Sequence, residues 1–385
     1  MLRKVAKRAL KRATRNSYRP LNWIELDKAR LLHNIVLFRQ QHPNMAIFPV
    51  LKGNAYGHGL EEVVTILNDA TIEMIAVDGY FEAAKIRDIS RHRLLVMGYI
   101  LPDNVRLLDT KRCSFVVQDV AALKAFASLR RPVKIHLELN TGMNRLGLQP
   151  NELETYLEAL KSYPTLELEG VMTHLADADN PNENVFSVQQ TKKFDSLVEQ
   201  ILKADFQPKY VHIAQTAGST KVKSRYANAL RIGVGTYGIT PLQPDDERAT
   251  DLVALQPVLE LKSTIIKVMP LNKGDKVSYN GIFTALKAMR IGVLPLGYYE
   301  GVPRALSNHG YVTVDGQQLP IVGRVCMNHT MIDLTGTDLG VGNQVTVISS
   351  DSNQPNSVLG LQQKYGLFAY ETLARLTPHM KRRIV

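Results

Sequence analysis

An α/β fold is predicted: a (β/α)8 TIM-type barrel over residues 21–255, then a β-strand domain with a C-terminal helix over 256–385. A basic extension at 1–20 precedes both. Three observations predict this. Short apolar runs alternate with segments of helical spacing through the first 250 residues, as repeated βα units require. Counting the run that ends at Lys52 there are eight, the number that closes a parallel barrel. Beyond 250 the pattern changes to short β-branched runs separated by turn residues, which indicates a small barrel or sandwich.

In order, residues 21–27 alternate apolar and polar and read as a strand, a candidate to pair with the later β-domain. Residues 29–40 carry a helical apolar face, and the strand ending at Lys52 follows. Further strands are expected at 74–77, 94–97, 114–117, 133–139, 168–173, 210–213 and 229–232. Helices are expected between them, at 60–67, 120–129, 151–160 and 188–204. A doubly wound open sheet is the alternative, but no G-x-G-x-x-G follows the first strand. The second domain offers strands at 258–268, 276–279, 289–294, 311–314, 318–322, 331–334 and 344–348, then a helix at 361–376 and a basic tip, Lys381-Arg382-Arg383. In a parallel barrel the chemistry lies at the carboxyl ends of the strands. Lys52, Arg145, His174, Gln215-Thr216 and Arg231 to Gly235 all fall at or just after those ends.

Composition narrows the class. The net charge of +11 resembles a nucleic-acid signal, but residues 1–20 hold eight Lys/Arg and no acid, and removing them leaves +3 for the rest. The spacing of that extension also fits a basic helix on an anionic membrane or an organellar transit peptide. A solvated extension is the expectation, with no nucleic-acid or membrane partner. No apolar run reaches the roughly 18 residues of a membrane span. Two distant cysteines, Cys113 and Cys326, exclude a disulfide framework or zinc site and suit a cytoplasmic protein.

One segment carries the chemistry. Val50-Leu51-Lys52-Gly53-Asn54-Ala55-Tyr56-Gly57-His58-Gly59 sets a lysine at a strand mouth before close-set glycines. A partly desolvated lysine serves as amine nucleophile or base. Alone, the segment equally fits a solvated lysine before a turn. With Asn140-Thr141-Gly142-Met143-Asn144-Arg145-Leu146-Gly147, Val277-Ser278-Tyr279, Gly323-Arg324-Val325-Cys326-Met327 and Tyr370-Glu371, it resembles the alanine racemase family from about residue 23 to 383.

The resemblance implies a pyridoxal 5'-phosphate (PLP) enzyme, a homodimer with shared active sites, and a role in supplying D-alanine for peptidoglycan. By matching position it implies that Lys52 forms the internal Schiff base and acts on the α-proton of D-alanine. Tyr279 would act on the opposite face, on L-alanine, from the other subunit. Arg231 matches the arginine at the pyridine nitrogen. Arg145 matches the contact to the phenolic oxygen and substrate carboxylate, and His174 the histidine beside the cofactor. Tyr56, Thr216, Gly233, Val234 and Tyr370 match phosphate-binding positions; Met327 matches a backbone contact to the substrate carboxylate from the partner. The alternatives are a racemase of broader, serine or lysine specificity, and a non-catalytic PLP-binding barrel. A barrel-fold decarboxylase is disfavoured, because its pyridine nitrogen faces a glutamate rather than an arginine.

Six positions depart from the family pattern: Glu138 for lysine, Asn140 and Asn328 for aspartate, Gln215-Thr216 for Asn-Ser, and Glu300 for aspartate. Glu138 is expected to pair with Arg145, directly or through one water.

Overall fold

A computed structural model describes residues 19–182, 185–221 and 223–385. The basic extension therefore lies, up to Tyr18, outside the described residues. The chain divides into two compact units: Asp27–Val258, and a second that joins the strand before Asp27 to Leu259–Val385. Strand β1 (Asn22–Leu26) belongs to the second unit.

In the first unit the strands are β2 (Ala46–Pro49), β3 (Met74–Val77), β4 (Arg93–Val96), β5 (Cys113–Val117), β6 (Val133–Glu138), β7 (Leu166–Met172), β8 (Tyr210–His212) and β9 (Ala229–Ile232). Among the described residues all pairings of these strands are parallel, in the order β2-β9-β8-β7-β6-β5-β4-β3. A parallel bridge between Val50 and Ala76, with Leu51 N–H donating to Ala76 O at 2.8 Å, links the ends of that order and closes the barrel. An open doubly wound sheet would lack this bridge. Strands such as β3, β5 and β9 are buried at every residue, because helices cover one face and side chains fill the other. That is why they read as continuous apolar runs rather than alternations. Phe48, Val50, Met74, Ala76, Leu95, Val116, Met172, Tyr210 and Ala229 form a core cluster.

The helices obey ordinary end rules. Asp27 caps Lys28–Gln41 by accepting from Arg30 N–H, and Asp119 caps Val120–Ala127 by accepting from Ala122 N–H. Leu60–Leu67 buries Leu60, Val63, Val64, Ile66 and Leu67. At roughly 25 cal/mol per Å² of apolar surface, each such side chain contributes about 1.5–3 kcal/mol before chain entropy is subtracted.

The second unit's strands are β10 (Leu259–Thr264), β11 (Lys267–Leu271), β12 (Lys276–Val277), β13 (Phe283–Thr284), β14 (Met289–Leu294), β15 (Tyr311–Val314), β16 (Gln317–Pro320), β17 (Thr330–Asp333), β18 (Gln344–Ile348) and β19 (Lys381–Ile384). They form a six-stranded sheet, β16-β15-β18-β10-β1-β19, a three-stranded sheet, β11-β14-β17, and the pair β12-β13.

Two expectations need correction here. The run 258–268 is two strands in different sheets, because the chain leaves β10 at Ile265-Ile266 before β11 begins. The helix expected over 361–376 is two helices, Val358–Tyr365 and Ala369–Ala374. Gly366, at φ 66°, ends the first of them in the left-handed conformation that only glycine adopts cheaply. The basic tip belongs to strand β19, Lys381–Ile384, which pairs in parallel with β1.

Candidate active site

Lys52 leaves the carboxyl end of β2 and heads an unusual turn. Gly53, Asn54, Ala55, Tyr56 and Gly57 all have positive φ, between 50° and 78°. Three of these five carry a Cβ, and each such residue costs about 1–2 kcal/mol in the left-handed region. The surroundings hold them there. Ala55 N–H donates to Leu51 O at 2.8 Å, Gly57 N–H to Gly53 O at 3.1 Å, and Asn54 Oδ1 accepts from Leu60 N–H at 3.0 Å. The buried Glu82 carboxylate accepts from Gly53 N–H at 2.8 Å and from Asp78 N–H at 3.0 Å. Strain of this kind concentrates at functional sites, and here it fixes the backbone from which Lys52 projects.

Tyr56, at the end of the turn, points its hydroxyl toward Gly233: a Cβ added there would lie 3.0 Å from that oxygen. Burial pushes the Tyr56 phenol up to about 12, with Asp78 adding to it, so the group remains a proton donor. Thr216 opens the short helix Thr216–Ser219, and its Oγ1 accepts from Gly235 N–H at 3.2 Å. Gly235 belongs to the 3-10 turn Val234–Tyr237. The barrel thus gathers Tyr56, Thr216, Gly233 and Val234, with two hydroxyls and the N–H groups of two first turns. Such a cluster suits a phosphate dianion.

Arg231 is buried, on β9. Its Nη1 donates to His212 O at 2.9 Å and meets His212 Nδ1 at 2.7 Å; its Nη2 donates to Thr173 O at 2.6 Å and lies 3.4 Å from His174 Nδ1. Burial lowers its pKa to about 10, opposed by the Glu138 charge, so it stays cationic near neutrality. His174 follows β7 and is lowered to about 3, first by burial and then by Arg231, Arg145 and Lys52. Three cations therefore act on one neutral imidazole, and this end of the barrel is strongly electropositive.

Arg145 sits exposed on the loop after β6. Asn140 organises that loop: its Oδ1 accepts from Gly142 and Asn144 N–H, both at 3.1 Å, and its Nδ2 donates to Asn144 Oδ1 at 2.9 Å. An ionised aspartate at 140 has no donor for the last bond. A direct Glu138–Arg145 hydrogen bond or ion pair does not form among the described residues. Glu138 accepts instead from Gln118 Nε2 at 3.3 Å, and its carboxyl is raised by burial, which Gln118, Arg231 and Arg145 oppose. It sits on a buried strand while Arg145 lies out on the loop. The Oε1 of Gln215 is buried with no hydrogen-bond partner among the described residues, beside Thr216.

The second unit carries the remaining expected residues. Tyr279 is 69% exposed in a 3-10 turn, Tyr279–Gly281, rather than at a strand end. The turn follows Ser278, whose φ is 65° and whose hydroxyl donates to Arg324 O at 2.8 Å. Met327 is 54% exposed, and its carbonyl accepts from Tyr299 N–H at 3.0 Å. Tyr370 stands at the start of Ala369–Ala374 with its ring stacked on Phe368 at 4.9 Å. Two departures meet here: Asn328 Nδ2 donates to Glu300 Oε1 at 2.8 Å, while Glu300 Oε2 accepts from Gly297 N–H at 2.7 Å. A neutral amide at 328 avoids setting two carboxylates side by side.

The residues of the first unit fit PLP. A primary amine, a buried donor-only cation and a hydroxyl-rich cradle cleared by Gly233 are the donors a pyridine ring bearing an aldehyde and a phosphate requires. Sequence profiles decide the family: the alanine racemase N-terminal domain matches residues 26–241 and the alanine racemase C-terminal domain residues 258–384. The chain belongs to the alanine racemase family. It is 31% identical to the alanine racemase of Staphylococcus saprophyticus over 95% of each chain, and 32% identical to that of Listeria monocytogenes over 96% of this chain and 98% of that one. Among solved structures, the Bacillus anthracis alanine racemase with bound L-Ala-P matches with a TM-score of 0.86 at 28% identity over 96% of each chain. The Streptomyces lavendulae alanine racemase matches with a TM-score of 0.87 at 23% identity, covering 96% of this chain and 98% of that one, a likeness of fold alone. Membership in the alanine racemase family sets the reaction class, interconversion of L- and D-alanine, and the cofactor, PLP.

Sequence reasoning missed several residues around this site: Glu82, which ties down the Lys52 turn, and His212, His136 and Glu169 behind Arg231. Their partners lie 29 to 76 residues away. A signal was nonetheless present in the sequence, since His136, Glu169 and His212 are polar residues inside apolar strand runs.

Proposed function

We propose that this chain interconverts L- and D-alanine by two-base proton transfer, with Lys52 and Tyr279 as the bases on opposite faces of the α-carbon. The observation that carries the reading is the cluster at the barrel's carboxyl end: the Lys52 amine, the neutral His174 and the cationic Arg231 and Arg145. When bound, PLP supplies the electron sink that acidifies the α-proton. The Lys52 amine would hold the cofactor covalently and would serve as the base toward D-alanine. Tyr279 serves the other face, since one fixed side chain does not reach both. Arg231 is donor-only, so it holds the ring nitrogen by a hydrogen bond without protonating it and keeps the sink weak, limiting side reactions. Arg145 and Met327 N–H hold the substrate carboxylate. Tyr56, Thr216, Gly233, Val234 and Tyr370 hold the phosphate.

The proposal includes a homodimer in the cytoplasm, in which Tyr279 and Met327 of the partner subunit complete each site. Support comes from the exposure of both side chains, with Leu286 at 84% and Phe368 at 57% also presented to solvent. The two cysteines are unpaired, which suits a reducing compartment.

The test is polarimetry on the purified, PLP-loaded protein. Wild type should remove the optical rotation of L-alanine and show the yellow cofactor band; Lys52→Ala should abolish both. Tyr279→Phe should retain the band and lose at least about a hundredfold in kcat from L-alanine, the usual scale for a general base. Full rate in Tyr279→Phe would rule out the two-base assignment.

A further inference from the structure

Behind Arg231 a line of buried polar groups runs through the barrel interior, and no step above uses it. His212 Nε2 lies 2.8 Å from His136 Nδ1, and His136 Nε2 lies 3.4 Å from Glu169 Oε2. Glu169 Oε2 also accepts from the Ser114 hydroxyl, while Oε1 accepts from Arg93 Nη1 at 2.8 Å and Lys134 Nζ at 3.0 Å. His136 and His212 are fully buried, Glu169 is 2% exposed and Arg231 3%. Space for the line is built in: a Cβ on Gly170 would fall 2.3 Å from His136 Nδ1.

The direction of every bond follows from its first donor. A guanidinium only donates, so His212 Nδ1, at 2.7 Å from Arg231 Nη1, must be the bare acceptor nitrogen. The His212 proton is then on Nε2 and is donated to His136 Nδ1. His136 in turn carries its proton on Nε2, facing the Glu169 carboxylate. Neither imidazole takes a second proton without setting two N–H groups against each other. Burial lowers both ring pKa values, with Arg231 acting in the same sense, and the Glu169 carboxyl is held low by His136, Ser114, Lys134 and Arg93.

We propose that His212, His136 and Glu169 are positioning residues for Arg231, forming a one-directional hydrogen-bond relay that locks the guanidinium in place and in its donor role. The proposal rests on the reading of Arg231 as the group at the cofactor's ring nitrogen. It adds that the anchor is an anion at the far end of the relay, itself held by two partly exposed cations.

The test uses the holoprotein labelled with ¹⁵N-histidine, the His136 resonances being assigned by their loss in His136→Gln. In wild type both rings should be neutral, with the proton on Nε2. Protonated Nδ1 on His212 overturns the relay, and this measurement needs no variant to fold. Glu169→Gln is isosteric. Its carbonyl oxygen should turn to Arg93 and Lys134, presenting the NH2 to His136; the His136 proton then moves to Nδ1, against the His212 Nε2–H, and the relay breaks at that contact. The expected readout is that tautomer change, a shift of the cofactor absorption band, and a fall in kcat of about tenfold at unchanged KM, the scale of one charge-assisted hydrogen bond. If Glu169→Gln does not fold, Lys134→Met at the partly exposed end should shift the band and lower kcat in the same direction, with the His136 proton still on Nε2 because Glu169 remains an acceptor. A changed tautomer with an unchanged band and kcat overturns the positioning role. Arg231→Lys tests the underlying reading separately: an unchanged band there sinks the role given to Arg231, whatever the tautomers show.

Discussion

Gly53→Ala isolates the strain stored beside Lys52. Gly53 has φ +64°, and a Cβ built there meets nothing within 4 Å, so the substitution adds no steric contact. What remains is conformational. Placing alanine in the left-handed region costs about 1–2 kcal/mol, and the more restricted unfolded chain returns about 0.4–1 kcal/mol. The net loss is about 1 kcal/mol, with the Gly53 N–H still free to reach Glu82. Urea unfolding of the cofactor-free protein reads this directly, as a lower midpoint at unchanged m value. Gly274→Ala is the control: it has φ +97° and the same open surroundings, in the other unit. It should lose similar stability, but only Gly53→Ala should also weaken PLP retention, because only that turn begins at Lys52. An unchanged or raised midpoint for Gly53→Ala would refute the left-handed turn as the resting conformation, and a loss above about 4 kcal/mol would show a clash absent from this geometry.

Three further predictions test other parts of the site. Gly233→Ala sets a methyl 3.0 Å from the Tyr56 hydroxyl; PLP affinity, followed by absorbance titration, should fall about tenfold or more with little change in cofactor-free stability. Glu82→Gln replaces a buried charged acceptor of the Gly53 and Asp78 N–H groups, and should cost about 1.5–3 kcal/mol by urea midpoint. Acid should destabilise the barrel early: His136, His174 and His212 have folded pKa values below their unfolded value near 6.5. The unfolded state then binds more protons, so stability is complete above about pH 6.5 and falls as pH drops toward the folded value of His174, about 3. Midpoints at pH 7.5 and 5.5 should differ accordingly, and equal midpoints would contradict neutral buried imidazoles.

The barrel was legible because its strands are buried on both faces and so spell continuous apolar words, as in Met74–Val77 and Ala229–Ile232. The second unit was harder. Its half-exposed strands carry a weaker code, so the change of sheet at Ile265-Ile266 and the break at Gly366 were read through. For Lys52 the sequence showed the lysine and the glycines, but not that non-glycine residues between them are also left-handed, since Ala55 and Tyr56 announce no such preference. The Asn328–Glu300 bond explains why two departures from the family pattern occur together, yet each is visible only as an isolated change until the loops are folded. Glu138 and Arg145 make no direct contact for the complementary reason: six residues of loop separate a buried strand position from an exposed one.

Strand β1 pairs with β10 so that Leu26 faces Leu259, where an ordinary hairpin would place a two-residue turn. The chain between those two strands is the whole of the barrel unit, Asp27–Val258. Were it a flexible loop of roughly 230 residues, closing it would cost about 5 kcal/mol in chain entropy. Folded, it brings Asp27 N–H to 3.0 Å from Val258 O, so its own two ends leave as neighbours and the cost has already been met. The barrel thus acts as the template for registering the sheet, and its folding should precede that sheet in refolding kinetics.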